Sequence, residues 1–320
     1  MRAPEEAYAV ERFEQAAALL PHELRQGVQR LSTAEKARAE EFRLRAGRPP
    51  MVADPTGERT VPGCGQCPIT AADLTGVLEV ASQASTHTVL DRVKSGFVTV
   101  RGGYRVGLCG SAVMKDGEVC NVKQISSLAI RIAREVPGAG AEVLPQLWEA
   151  GTLQSTLLLS PPGGGKTTLL RDLIRRISDG VGGPPLRVGV VDERGELAAM
   201  YNGVPMTQVG IRTDVMDGCP KAAGLMMLLR GMNPQVLAAD EITAPEDVEA
   251  LEQAAGCGVA LLCSAHGGTP DDLRRRPLYR RLLAGGVFRR AVLIELRGGC
   301  LLYTSPSPRD YAASRMPSSA

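Results

Sequence analysis

Apolar residues recur at three- and four-residue steps through residues 5–31 and pause at Pro21, which predicts amphipathic helix with a break at the proline. Ser32 and Thr33 then lead into a charged stretch, AEKARAEE. From residue 41 the period shortens to two: EFRLRAGRPPMVADPTGER alternates between turn formers and predicts two short strands. GCGQCPIT (63–70) reads as loop, Thr70 opens a helix to about Gln83, and His87 to Ser95 reads as another, ended by Gly96. FVTVRGGYRVGLCGSAV (97–113) alternates about Gly102-Gly103 and predicts a hairpin, and Asp116-Gly117 suits a tight primed turn. ISSLAIRIARE (125–135) closes what reads as a small α+β domain over residues 1–136. Residues 137–150 read as a linker, Pro137 to Gly140, followed by a short helix from Ala141 to Ala150.

The second half has a different rhythm. Short, largely apolar runs (156–159, 188–191, 236–239, 259–265, 291–296) alternate with helical patterns, the signature of strands buried on both faces. A Gly- and Asp-rich loop spans 203–219, KAAGLMMLLRGM reads as helix, Thr243-Ala-Pro-Glu246 is a capping box opening a helix to Ala255, and DDLRRRPLYRRLL is one basic helix. Residues 151–298 are therefore expected to form a three-layer α/β domain with a mainly parallel sheet, and PPGGGKTT (161–168) after its first strand makes the expected type a RecA-like P-loop NTPase. From about Cys300 the chain turns abruptly to Ser, Pro and Arg without periodicity. Residues 299–320 read either as a disordered tail or as a non-native one resembling translated adaptor sequence.

The chemistry collects where apolar runs end. STLLLS passes into Pro161-Pro162-Gly163-Gly164-Gly165-Lys166-Thr167-Thr168, and a helical pattern follows at once. Strand, glycine loop and helix in that order form a phosphate cradle: glycines let backbone N–H groups close on phosphate oxygens, and the helix start adds its own unpaired N–H groups. Pro162 to Thr168 are thus the candidate nucleotide-binding residues, with Lys166 reaching the β- and γ-phosphates and the Thr167 hydroxyl on Mg²⁺. Ser160 stands where the strict pattern has Gly. QVLAADEIT ends its apolar run on Asp240 and Glu241, a Walker B arrangement in which Asp240 would hold Mg²⁺ and Glu241 would polarise the attacking water. RVGVVDERGEL ends likewise on Asp192 and Glu193, expected to face the phosphates, Asp192 toward the metal and Glu193 toward the reaction. His266, ending the next apolar run, is the candidate γ-phosphate sensor.

Composition narrows the picture. Net charge is +2 and aromatics are 3% of 320 residues, so neither a broad basic field nor a base-stacking platform points to nucleic acid. The eight cysteines are irregularly spaced and read as reduced thiols. Cys64 and Cys67 alone have metal or redox spacing, with no second pair to complete a zinc site. No apolar run approaches the ~18–20 residues needed to span a bilayer, and the N-terminus lacks the apolar core of a signal peptide. Arg43, Arg45 and Arg48 cluster on what reads as a solvated strand face.

Taken together, SPPGGGKTTLLRDLIRRISDG, VGVVDERGELAAMYNG, DVMDGCPKAAGLMMLLRGMNPQVLAADEIT and SAHG resemble the stage III sporulation protein AA family, as do FRLRAGRP and SGFVTVRGGYRVGLCG nearer the start. That family in turn resembles the secretion and pilus ATPases. The resemblance implies ATP hydrolysis with Mg²⁺ by a hexameric ring, soluble in the mother-cell cytoplasm. It would be held at the membrane by proteins of the channel complex linking mother cell and forespore. It implies phosphate-reaching arginines too, of which Arg131 in AIRIARE is the first candidate and Arg212 in VGIRTDV the second. Two departures from the family stand out: Gly164 where many members carry Cys or Thr, and Thr243 where many carry Gly. A nucleic-acid motor is the first competing reading. Its usual companion module is marked by an arginine four residues before a histidine, and none of His22, His87 and His266 has one. A nucleotide-gated scaffold with negligible turnover is the second, and the intact Asp240-Glu241 pair argues against it.

Overall fold

The structure is a computed structural model describing residues 3–82, 96–268, 270–297 and 300–304; the helix expected over His87–Ser95 lies outside these. The described residues gather into two compact units, one drawn from Met1–Arg134 with Met200–Met206, the other from Glu135–Ala199 with Thr207–Ala320.

In the first unit, helices α1 (Ala3–Ala17) and α2 (His22–Gln29) part at Pro21 as the periodicity predicts. Helix α3 (Thr33–Arg38) starts on a capping box in which Ser32 and Glu35 satisfy each other's backbone N–H groups. The alternating stretch yields three strands where two were expected: β1 (Glu41–Arg45), β2 (Met51–Asp54) and β3 (Gly57–Thr60). Helix α4 (Ala71–Ser82) follows, then β4 (Phe97–Val100), β5 (Tyr104–Lys115) and β6 (Glu118–Arg131). The sheet has the order β3-β2-β1-β6-β5-β4, and every pairing in it is antiparallel. The turn between β5 and β6 uses left-handed Asp116 (φ 52°) and Gly117 (φ 84°), the pair of conformations a primed turn requires. Phe13 meets Phe42 edge to face, with ring centroids 5.1 Å apart, in a core that includes Leu20, Leu44 and Ile130.

The second unit begins earlier than the sequence suggests. Residues 138–140, read as linker, are fastened by the buried Asp172 carboxylate, which accepts the N–H groups of Gly138 and Gly140 and pairs with Arg175 and Arg176. The helix expected over 141–150 is only a 3₁₀ turn at Leu144–Leu147, followed by a two-residue hairpin of β7 (Trp148–Glu149) and β8 (Thr152–Leu153). Pro145 has no N–H to continue a helix, and Ala150-Gly151 turns back with positive φ at both residues.

The main sheet runs β11-β10-β12-β13-β9-β14-β15. It is built from β9 (Thr156–Ser160), β10 (Val188–Asp192), β11 (Thr213–Asp217), β12 (Val236–Ala239), β13 (Ala260–His266), β14 (Arg290–Arg297) and β15 (Cys300–Thr304). All pairings are parallel except β14 with β15. Helices α5 (Lys166–Asp179), α6 (Lys221–Gly231), α7 (Pro245–Gly256), α8 (Pro270–Arg275) and α9 (Pro277–Ala284) alternate with the strands. Four local readings change. β11 sits inside the stretch taken as loop, a half-exposed edge strand whose TDVMD lacks an apolar run. The basic helix is two, parted before Pro277. The cap of α7 comes from Asp247, not Glu246; its carboxylate accepts the N–H groups of Thr243 and Ala244. Finally, Cys300–Thr304 pairs along β14 as an edge strand, so the structureless tail does not start at residue 299; CLLYT is β-prone, and the Ser/Pro composition that masked it begins only at Ser305.

Candidate functional site

The carboxyl ends of β9, β10, β12 and β13 deliver the chemistry to one place, as parallel strands with helical crossovers do. Register puts His266 beside Ser160, so the last residues of β13 and β9 are neighbours. The loop leaving β9 turns through Gly163 (φ 73°) and Gly165 (φ 84°), left-handed conformations that a side chain would strain. Gly165 immediately precedes α5, whose start has no side-chain cap, so its N–H groups point into the loop unclaimed by any cap. Pro162 is exposed on that loop, and Thr168 is half-buried in the first turn of α5.

Ser160 and Gly164 turn out to be one adjustment. Ser160 is fully buried and donates its hydroxyl to Pro161 O at 2.7 Å. A Cβ placed on Gly164 would lie 1.9 Å from Ser160 Oγ and 2.9 Å from its Cβ. The strand residue thus occupies the room that a side chain at 164 would need. Two departures that look unrelated in sequence exchange one small volume.

Lys166 is buried, and its Nζ donates to Ser160 O and Pro161 O, both at 3.2 Å, and meets His266 Nδ1 at 2.9 Å. Burial pulls its pKa below the ordinary lysine value, with the Asp240 and Glu241 carboxylates opposing the shift. An ammonium can only donate, so His266 accepts at Nδ1 and carries its proton on Nε2, which lies 2.7 Å from Glu241 Oε1. Thr167 Oγ1 donates to Asp240 Oδ2 at 2.6 Å, and Ser264 donates its hydroxyl to the other oxygen. The Glu241 N–H bonds Ser264 Oγ at 2.9 Å while its backbone sits at φ 51°, a conformation costing on the order of 1 kcal/mol for a non-glycine. The aim of the Glu241 side chain is over-determined.

Lys166, Thr167, Asp240, Glu241 and His266 therefore form one contiguous network, joined through Ser264. Asp192 does not join it. Its two oxygens accept the N–H groups of Glu196, Leu197, Ala198 and Ala199, so the carboxylate expected on a metal is spent on shaping the next loop. Glu193 lines the same small cleft as Asp240 and Glu241 but is ion-paired with Lys221. That buried lysine escaped sequence reasoning; the hint was a cation in a helix's first turn, where the dipole disfavours it. Arg194, also missed, pairs with Glu241 Oε2 at 2.6 Å. Arg212 is placed elsewhere: it donates to Ser178 O at the C-terminal end of α5, about 20 Å along a 14-residue helix from Lys166. Arg131 ends β6 in the first unit, 3.7 Å from Glu41, and Arg43 and Arg45 of the same sheet are likewise paired with Glu41 and Glu58.

The donors also suit a magnesium ion. Thr167 Oγ1 and Asp240 Oδ2 are adjacent hard oxygens. Among the described residues no three His, Cys, Asp or Glu side chains form a cage. A metal here would depend on phosphate and water for its other ligands, which is magnesium's habit.

A mainly parallel sheet carrying this glycine loop, lysine and strand-end acids defines a protein of the P-loop NTPase fold. In overall fold it is similar to the Legionella pneumophila ATPase DotB (TM-score 0.58, 15% identity, 88% of this chain and 81% of that one). It is similar also to the pilus retraction motor PilT, solved with bound ADP (TM-score 0.55, 18% identity, 83% and 78%). By sequence, the chain belongs to the family Sporulation stage III, protein AA, whose profile matches residues 10–301. The stage III sporulation protein AA of Bacillus subtilis (strain 168) is 40% identical to it over 267 residues, 83% of this chain and 85% of the relative.

Proposed function

We propose that this chain is a secretion-type motor that hydrolyses ATP to ADP and phosphate, working as a homo-oligomeric ring, hexameric by analogy. The observation that carries the reading is the unbroken chain from Lys166 through His266 to Glu241, set beside the Thr167–Asp240 pair at the mouth of the glycine loop. The N–H groups from Gly163 to Thr167 would bind the β- and γ-phosphates, and Lys166 would leave its carbonyl and imidazole partners for the phosphate oxygens. Glu241 would orient a water for in-line attack and accept its proton, while His266 keeps that carboxylate aimed. Thr167 and Asp240 would hold a bound Mg²⁺, which would supply charge neutralisation to the phosphates. Glu193 borders the same cleft, and Arg131, from the first unit, remains the candidate for an arginine completing the site from beyond the P-loop unit.

Membership of the sporulation family supports a role at the channel complex between mother cell and forespore. No described helix is long and apolar enough to cross a membrane, so attachment there would run through partner proteins. Glu241→Gln is the direct test. It should bind Mg·ATP and turn it over about 10²–10⁴-fold more slowly, the usual contribution of a positioned base. Full turnover by Glu241→Gln would remove Glu241 from the role.

A further inference from the structure

Both oxygens of Glu241 are occupied: Oε1 by His266 Nε2 at 2.7 Å and Oε2 by Arg194 Nη1 at 2.6 Å. Each oxygen keeps a further lone-pair site, but a water approaching Oε2 must share that oxygen with the guanidinium. Withdrawing one of the two contacts would open a whole oxygen to that water. The two caps are not alike. His266 ends β13, where its backbone is paired in the sheet beside Ser160. Arg194 is half exposed, with 52% of its side chain accessible, and reaches Glu241 from the loop after β10.

That loop is a firm base for a moving side chain. The Asp192 carboxylate gathers four of its N–H groups, and the Arg171 guanidinium donates to the carbonyls of Glu196 and Leu197. The backbone at 194 is thus braced on both sides while the guanidinium has only its long stem to rotate. A terminal phosphate gripped by Lys166 would sit within the same cluster, because Lys166, His266 and Glu241 are in successive contact. A phosphate bearing two charges offers a guanidinium a bidentate partner stronger than one carboxylate oxygen.

We propose that Arg194 is a nucleotide-gated latch on Glu241: it pairs with Oε2 when no third phosphate competes for it, then swings to the terminal phosphate, clearing that oxygen for the attacking water. This rests on the ATPase reading above and adds to it a residue of the same subunit that distinguishes triphosphate from diphosphate. The swing needs a third phosphate, so ADP would leave the latch closed.

The experiment measures equilibrium affinities of the full chain for Mg·ATPγS and Mg·ADP in wild type, Arg194→Ala, Arg194→Lys and Lys166→Ala. Arg194→Ala is expected to lose tenfold or more of the preference for ATPγS over ADP while its ADP affinity stays within about twofold, the loss of one charge-assisted contact. Arg194→Lys should recover part of the preference, since the charge survives without the fork. An unchanged preference in Arg194→Ala, with binding abolished in Lys166→Ala, overturns the latch and leaves the site standing. Unchanged binding in Lys166→Ala overturns the site itself. Equal losses for both nucleotides in Arg194→Ala also overturn the latch, by showing a contact that does not read the third phosphate.

Discussion

The exchange between Ser160 and Gly164 can be tested as a thermodynamic cycle. A methyl on residue 164 would begin 1.9 Å from Ser160 Oγ and 3.1 Å from Pro161 O. Ser160 is fully buried and cannot step aside freely. Gly164 is not among the positive-φ glycines, so alanine there meets a steric objection and no backbone one. Gly164→Ala alone should cost about 1–3 kcal/mol, the usual range for overpacking. Ser160→Gly alone forfeits one buried hydrogen bond, about 1 kcal/mol, because Pro161 O keeps the Lys166 Nζ and Gly164 N–H donors. In the double variant the added methyl fills the space vacated by the hydroxymethyl group, so the clash with residue 160 vanishes and only the 3.1 Å approach to Pro161 O remains. The two costs should then fail to add by about 1–3 kcal/mol, well above the scatter for independent sites. Urea unfolding of the four proteins, followed by a probe in the P-loop unit, supplies the coupling energy. Costs that add to within about 0.5 kcal/mol would refute the exchange.

Other consequences concern carboxylates with structural work. Asp192→Asn turns an amide NH₂ toward backbone N–H donors and should lower stability by about 2–3 kcal/mol in thermal or urea unfolding. Unchanged stability with lost magnesium dependence would return Asp192 to the metal role. Asp172 gives a pH signature. Burial opposes its charge, but the hydrogen bonds from Arg175, Gly140, Gly138 and Arg176 prevail and hold its pKa below the ordinary aspartate value. A depressed folded pKa means the stabilisation is complete above the unfolded value and lost as pH falls through the folded one. The urea midpoint of the wild type should thus decline below about pH 4, and Asp172→Asn should flatten that decline. An equally steep acid limb in the variant would mean other carboxylates dominate.

The glycine loop and the strand-end acids are legible in the sequence because their geometry is local. Glycines at left-handed positions, a lysine on the first helical residue and acids at strand ends are dictated by spacing within short segments. Roles decided by neighbours distant in sequence are not. Asp192 and Asp240 both end apolar runs, yet one turns into backbone N–H groups and the other toward Thr167. Lys221 and Arg194 join the site only because the sheet order brings β10 beside β12. Strand β11 lacks a sequence signal because an edge strand need not be apolar, and the five residues of β15 are overshadowed by the Ser/Pro-rich composition that follows them. The reciprocal fit of Ser160 and Gly164 needed a distance, since sequence shows two anomalies and no reason to connect them.

The most direct measurement is an experimental structure of the full chain saturated with a non-hydrolysable ATP analogue and magnesium. The account predicts phosphate oxygens within hydrogen-bonding distance of the N–H groups of residues 163–167, with Lys166 Nζ moved from His266 Nδ1 onto the terminal phosphate. A glycine loop without phosphate at saturating analogue, and Lys166 still on His266, would contradict it.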